Sequence, residues 1–315
     1  MAVGGVDAAL ALREARGDVA RAQAWLSEAR PERGGSSAAQ GGVGKGASVR
    51  KYPGGVASLV DERVGLTLEV VEAKLARVEL DSTGPRLPRD VAVLEKQRPT
   101  LEATPPGAQA NPRWSEYVAY YERRLGELKE GRAAKGPLRW EAYELMQGWF
   151  ARGLAFERVM VELLHADAAL PKAQRRFLGD FYSPRIETYV GVWKAESGLR
   201  FADVLVIEQQ PSPPGRPPRV ETFSFKSRDL SGLKEEALQA QMKADASEAL
   251  RYYGETLDVR RPSLKSFLRD GSKVPVQRLR LIYEGGDLKP KNADVQDAAV
   301  TKAQNNAPGV EVLFQ

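Results

Sequence analysis

Two apolar periods divide this chain, and the point where one gives way to the other organises its reading. From Trp114, the residues WSEYVAYYERRLGELKEG repeat their apolar side chains at helical spacing and stop at Gly131. A second stretch of the same period, RWEAYELMQGWFARGLAFERVMVELLH, predicts a helix from about Leu138 to His165. Gly148 and Gly153 lower its propensity locally and allow close approach. The period then becomes extended. IETYVGVWK (186–194), LRFADVLVIE (199–208) and RVETFSFKS (219–227) predict three successive strands, the last two joined by the Pro-rich QQPSPPGRPP. A long helix follows, LKEEALQAQMKADASEALRYYG, closed by Gly254. A strand at about 277–284, a helix at about 292–305 and a final strand, VEVLF, complete an α/β domain with a mixed central sheet flanked by helices.

Upstream the pattern is less regular. Residues 1–30 carry a short helical segment broken near Gly17-Asp18. Its ALREARGDVARAQAWL resembles the latter half of a ubiquitin-associated-type module, with a plain helical hairpin as the competing reading. Residues 31–55 are rich in Gly, Ser and Ala, bury too little apolar surface to offset ordering entropy, and read as a flexible linker. Residues 56–112 read as an accessory, mainly helical region ending in the breaker-rich TPPGAQANP, which puts the start of the main domain, 113–315, just beyond it. The closing VEVLFQ shares five of six residues with LEVLFQ, the recognition sequence of a rhinovirus protease, so it is either a native edge strand or a remnant of tag cleavage.

Composition narrows the chemistry. With no cysteine, disulfides and thiolate metal sites are excluded. The single histidine, His165, removes HNH-type and two-histidine chemistry, and its place near the end of an apolar helix gives it a capping or half-buried role. Catalysis is left to carboxylate, lysine and hydroxyl groups, most naturally around Mg2+ (or Mn2+). The net charge is +5, and residues 216–291 alone carry 16 Lys/Arg against 11 Asp/Glu, the same excess. That balance permits binding to a phosphate backbone. No apolar run approaches the roughly 18 residues of a membrane span, and the N-terminus has no secretory-signal pattern. The expectation is a cytoplasmic protein, or one delivered into a target cell by a route without a signal peptide.

The candidate groups lie around the three strands. Asp203 sits in the otherwise apolar FADVLVI, where a buried carboxylate costs several kcal/mol unless paired or metal-bound. Lys226 ends the next strand. Strand alternation puts Thr222, Ser224 and Lys226 on one face, and Glu221, Phe223 and Phe225 on the other. The preceding helix offers Glu157 in GLAFERVM. Arg200, Arg228, Arg260 and Arg261 are candidate nucleic-acid contacts, and Gln239 and Gln241 candidate polar groups on the following helix. Each has a plain alternative: Asp203 pairs with Arg200, Lys226 solubilises a strand end, and the rest are solvated surface residues.

The order helix, three-strand meander, helix, strand, with these residues on it, resembles the core of the PD-(D/E)XK restriction-endonuclease-like nucleases, roughly over residues 113–315. The resemblance implies Mg2+-dependent phosphodiester hydrolysis, on DNA before RNA, with Asp203 and Glu157 as metal ligands and Lys226 stabilising charge. It also marks a departure. Ser224 stands where the family has an acid or glutamine, and a neutral hydroxyl is a weaker ligand. Three outcomes follow: Glu157 supplies the missing charge, Ser224 binds through water, or the site is inactive and the fold serves nucleic-acid binding or assembly. The helical preamble, Gly-rich linker and nuclease-like C-terminal region are also similar to toxin modules of bacterial competition systems, which implies a cognate immunity protein. An adaptor role for the N-terminal helices is a third class of function.

Overall fold

The computed structural model describes residues 55–104, 112–268 and 273–315. The helical segment read in 1–30 and the linker read in 31–55 lie outside these, Gly55 excepted. The helices are α1 (Leu68–Asp81), α2 (Val91–Lys96), α3 (Pro112–Lys129), α4 (Trp140–Ala169), α5 (Glu235–Tyr253) and α6 (Ala293–Asn306). The strands are β1 (Pro184–Lys194), β2 (Gly198–Glu208), β3 (Val220–Lys226), β4 (Thr256–Val259), β5 (Lys273–Pro275), β6 (Arg278–Tyr283) and β7 (Val310–Phe314). No helix among the described residues is long and apolar enough to cross a membrane.

The described residues form two compact units, one of 55–61 and 66–154, the other of 62–65 and 155–315. The division falls inside α4. The periodic stretch from residue 56 forms two 3-10 turns before α1 begins, Val56–Leu59 in the first unit and Glu62–Val64 in the second. The start of α1 is set by Thr67, whose hydroxyl accepts the Val70 N–H at 3.3 Å. The core of the first unit is aromatic: Trp114, Tyr117, Tyr120, Tyr121 and Tyr143 are buried. Each buried phenol is matched to a polar partner. Tyr117 donates to the Leu138 carbonyl, Tyr121 to the Leu94 carbonyl, Tyr120 accepts from the Leu138 N–H, and Tyr143 accepts from Gln147.

The second unit carries a seven-stranded mixed sheet in the order β5-β4-β1-β2-β3-β6-β7. β1, β2 and β3 form an antiparallel meander; β6 and β7 continue it in parallel pairing, and the short β4–β5 hairpin extends it on the β1 side. The closing VEVLF is thus an edge strand, paired with β6 at five positions. α5 and α6 cover one face. There Leu238, Met242 and Ala246 pack with Leu279, Leu281, Val310 and Val312, and with Ala299 and Ala303. On the other face Phe156 of α4 meets Phe225 edge-on, with ring centroids 6.1 Å apart. The alternation read for β3 holds: Thr222 donates to the Tyr253 carbonyl on the α5 side, while Phe223 and Phe225 lie on the α4 side.

Glu221, fully buried on that second face, is held by two cations. Arg280 donates to Glu221 at 2.6 Å and to Glu311 at 2.7 Å, and Arg219 donates to Glu221 at 2.6 Å and reaches Asp180 at 3.3 Å. A buried pair of this kind contributes little net stability, yet breaking one side leaves an uncompensated charge out of water. Arg280→Met is therefore expected to lower unfolding stability in urea by about 3 kcal/mol, and the double change Glu221→Leu with Arg280→Met to recover much of it. Equal stabilities for all three chains would show that the network carries no such charge.

Candidate active site

The meander is interrupted at one place. β1 and β2 pair from Pro184↔Glu208 to Thr188↔Val204 and again from Val190↔Ala202, and between these runs Tyr189 takes a left-handed backbone, φ 49°. For a bulky residue this conformation is strained. It also reverses the alternation. Leu205 and Ile207 share an apolar cluster with Ala202, an odd step along β2, and with Val190 and Val192 of β1. The reversal is clamped from outside by Arg261, which donates to the Thr188 carbonyl at 2.7 Å, the Tyr189 carbonyl at 3.3 Å and Glu187 at 2.6 Å. Sequence reasoning placed Arg261 among phosphate contacts; its guanidinium is spent on the backbone of β1.

At the same level β2 and β3 part. Their ladder ends at Val204↔Phe223, beyond which β2 keeps only β1 and β3 only β6. Asp203 is the first residue past the last pair. Its Oδ2 accepts the Phe225 N–H at 2.9 Å, so the carboxylate takes the strand donor that the ladder no longer serves. Asp203 is 7% exposed and Glu157, on α4, is 8% exposed. Both face the Tyr189 hydroxyl. Burial holds this phenol well above its ordinary pKa, and the charges of Glu157 and Asp203 and a hydrogen bond to Glu157 push it further the same way; Arg158 opposes them. The hydroxyl therefore stays protonated between two carboxylates.

The remaining two candidates lie across the sheet. Ser224, 3% exposed, stands beside Leu281 on the α5 side, and the Lys226 ammonium meets Glu248 of α5 at 3.7 Å. Asp203 and Glu157 thus both act on the Tyr189 hydroxyl, whereas Ser224 and Lys226 lie on the α5 face. The hydrogen bond from Phe225, the residue between them, is the link. Among the described residues no group of three or more His, Asp or Glu side chains is placed to hold a metal ion.

The cations behave individually. Arg200 does not seat on Asp203; its guanidinium lies over the Tyr252 ring at 4.2 Å. Arg228 pairs with buried Asp245 at 2.9 Å, and Asp245 also accepts from Gln241 and from the Tyr283 hydroxyl. Arg260 pairs with Asp258 at 2.9 Å and lies over the ring of exposed Trp193. Gln239 accepts from Lys302 and donates to Glu235 on the surface of α5. Tyr189, Glu248 and Tyr252 escaped the sequence reading. A tyrosine in a strand reads as packing, and the face of a helix that meets a strand end is set by tertiary structure.

Comparison of the chain with protein-family models, with curated proteins and with solved structures gives no match.

Two measurements follow from this geometry. Asp203→Asn keeps an oxygen for the Phe225 N–H, whereas Asp203→Ala orphans that donor. The alanine chain is expected to unfold about 1–3 kcal/mol more easily than the asparagine chain, and equal stabilities would remove the strand-linking role. His165 is half-buried, and burial pushes its imidazole below the usual 6.5, with Glu187 pulling weakly upward. Below 6.5 the unfolded chain gains a proton that the native one resists, so this group's contribution falls with pH. The parent should lose stability relative to His165→Gln between about pH 7.5 and 5.5; parallel curves would refute this.

Proposed function

We propose that this chain is a Mg2+-dependent nuclease acting on DNA, with its reacting centre where β2 and β3 part. The observation that carries the proposal is that two buried carboxylates, Asp203 and Glu157, both act on one buried phenol at a strained strand position. Strain and buried charge together at one spot point to a functional site. The order of elements, α4, a three-strand meander, α5 and then parallel β6, supports the same reading.

Mg2+ asks a protein for one or two carboxylates and takes its other ligands from water and phosphate, so this donor pair suits it. Asp203 and Glu157 would hold the ion, which when bound would neutralise phosphate charge and acidify a water. The chain's own groups have distinct tasks. The Tyr189 hydroxyl, hydrogen-bonded to Glu157, keeps its proton. Asp203 is fixed in direction by the Phe225 N–H. Lys226, held by Glu248 on the opposite face, would meet the charge that develops on the phosphate oxygens only from the end of β3, where β2 and β3 have parted. The closed apolar packing of Phe156, Phe223 and Phe225 beneath the site limits water on its inner side. On the resemblance alone, the proposal extends to an antibacterial toxin neutralised by an immunity protein.

Ser224, and the lack of a third acid beside the pair among the described residues, favour a second reading, a nucleic-acid-binding or assembly protein that keeps the fold without cleavage. Incubation of the protein with supercoiled plasmid and Mg2+ separates them. The parent is expected to nick or linearise the DNA, with Asp203→Asn, Glu157→Gln and Lys226→Ala each slower by about 10²-fold and EDTA abolishing cleavage. Retained binding with no cleavage by the parent establishes the second reading instead.

A further inference from the structure

Two guanidinium groups sit on one tyrosine. Arg200, near the start of β2, holds its guanidinium carbon 4.2 Å from the centre of the Tyr252 ring. Arg251 holds its own 4.6 Å from the same ring and donates to the Tyr252 hydroxyl at 2.5 Å. The attraction of each cation to the ring is on the order of 0.5–1 kcal/mol at such a surface, and two like charges gathered this closely repel. The neighbouring cations are each neutralised: Lys226 by Glu248, Arg228 by Asp245, Arg260 by Asp258. Among the described residues neither Arg200 nor Arg251 has a carboxylate partner, and the Arg200 Nε is buried without a hydrogen bond. The negative end of α5 accounts for one cation in its last turn. It accounts neither for the second on the same ring nor for the unspent Nε.

The place of this pair in the fold matters. Asp245, Glu248 and Tyr252 lie at i, i+3 and i+7, on one stripe of α5. Along it the helix seats Arg228, Lys226 and Arg200 in turn, and only the last seat lacks an acid. A planar guanidinium presents paired N–H donors to two oxygens of a phosphate. We infer that Arg200, Arg251 and Tyr252 form a seat for a backbone phosphate of a polynucleotide, one turn of helix from Lys226. This inference rests on the proposed nuclease reading and tells where the strand runs as it leaves the lysine.

Inorganic phosphate offers the same oxygens, so the test separates the two sources. Binding of a short fluorescent DNA duplex is measured by anisotropy without divalent metal, across a salt series, and with inorganic phosphate as competitor. Arg200→Gln with Arg251→Gln is expected to weaken binding about tenfold and to flatten the plot of log affinity against log salt by about 0.7–0.9 for each cation removed. Tyr252→Leu should weaken binding severalfold, and Arg132→Gln, an exposed change in the other unit, should alter nothing. Parental affinity and slope in the double variant overturn the seat, as does an equal loss from Arg132→Gln or no duplex binding by the parent. Phosphate that binds through Arg200 and Arg251 but does not compete with DNA also overturns it, leaving a free-anion site. Plasmid cleavage is scored apart: a parent that binds through the seat without cutting removes the nuclease reading alone, and a parent whose cutting and binding ignore the double change removes the seat alone.

Discussion

A single hydrogen bond, from the Phe225 N–H to the Asp203 carboxylate, lets two strands of this sheet part without stranding a donor. Past Val204↔Phe223 the central ladder stops, and a backbone N–H left inside the protein would cost as much as a lost hydrogen bond. Asp203 supplies the acceptor from the side chain of the departing strand. β3 is then free to follow β6 while β2 follows β1, and the gap between them becomes the place where α4 and α5 side chains approach the sheet from opposite faces. The other features of the region depend on that gap.

The left-handed backbone at Tyr189 is the matching adjustment on the neighbouring strand. It turns the side chain at 189 toward α4 instead of letting the pleat alternate, which puts the phenol against Glu157 and Asp203. Such a conformation costs of order 1–3 kcal/mol. The cost is met locally by Arg261, whose three acceptors lie on or beside the kinked residue. The same adjustment explains why the candidate residues divide between two faces. Asp203 follows the reversed pleat, whereas Ser224 and Lys226 lie on β3, where alternation is regular.

This division marks the limit of what the chain discloses before folding. The three strands of the meander, the helices around them and the parallel strand that follows were legible because each spans enough residues to show its period, and β3 kept the faces that period assigns. The β4–β5 hairpin was not legible: TLDV and KVP are too short for an alternation to register. α2, six residues between breakers, was missed for the same reason. The kink was hidden for a different reason. Nothing in ETYVG marks Tyr189 as left-handed, since tyrosine is a good strand former and the residue that enforces the turn, Arg261, lies far along the chain. Likewise Glu248 and Tyr252 are ordinary polar positions of an amphipathic helix until the end of β3 and the start of β2 are laid against them.

Burial alone does not single out Asp203. A carboxylate inside an apolar strand demands a reason, and the protein buries several whose reasons are structural. Asp167 is fully buried and accepts three backbone N–H groups, from Arg176, Phe177 and Leu178. Glu221 lies between two arginines, and Asp245 takes Arg228, Gln241 and Tyr283. In each the donors are full cations or a set of amides, which matches the charge they surround. Asp203 has a structural reason too, since it accepts the Phe225 N–H that the ladder leaves unserved. What sets it apart is its place: it lies where two central strands part, beside a left-handed tyrosine whose phenol also feels Glu157. It is this position, more than burial, that distinguishes Asp203 from the carboxylates that brace a turn or pair with a cation.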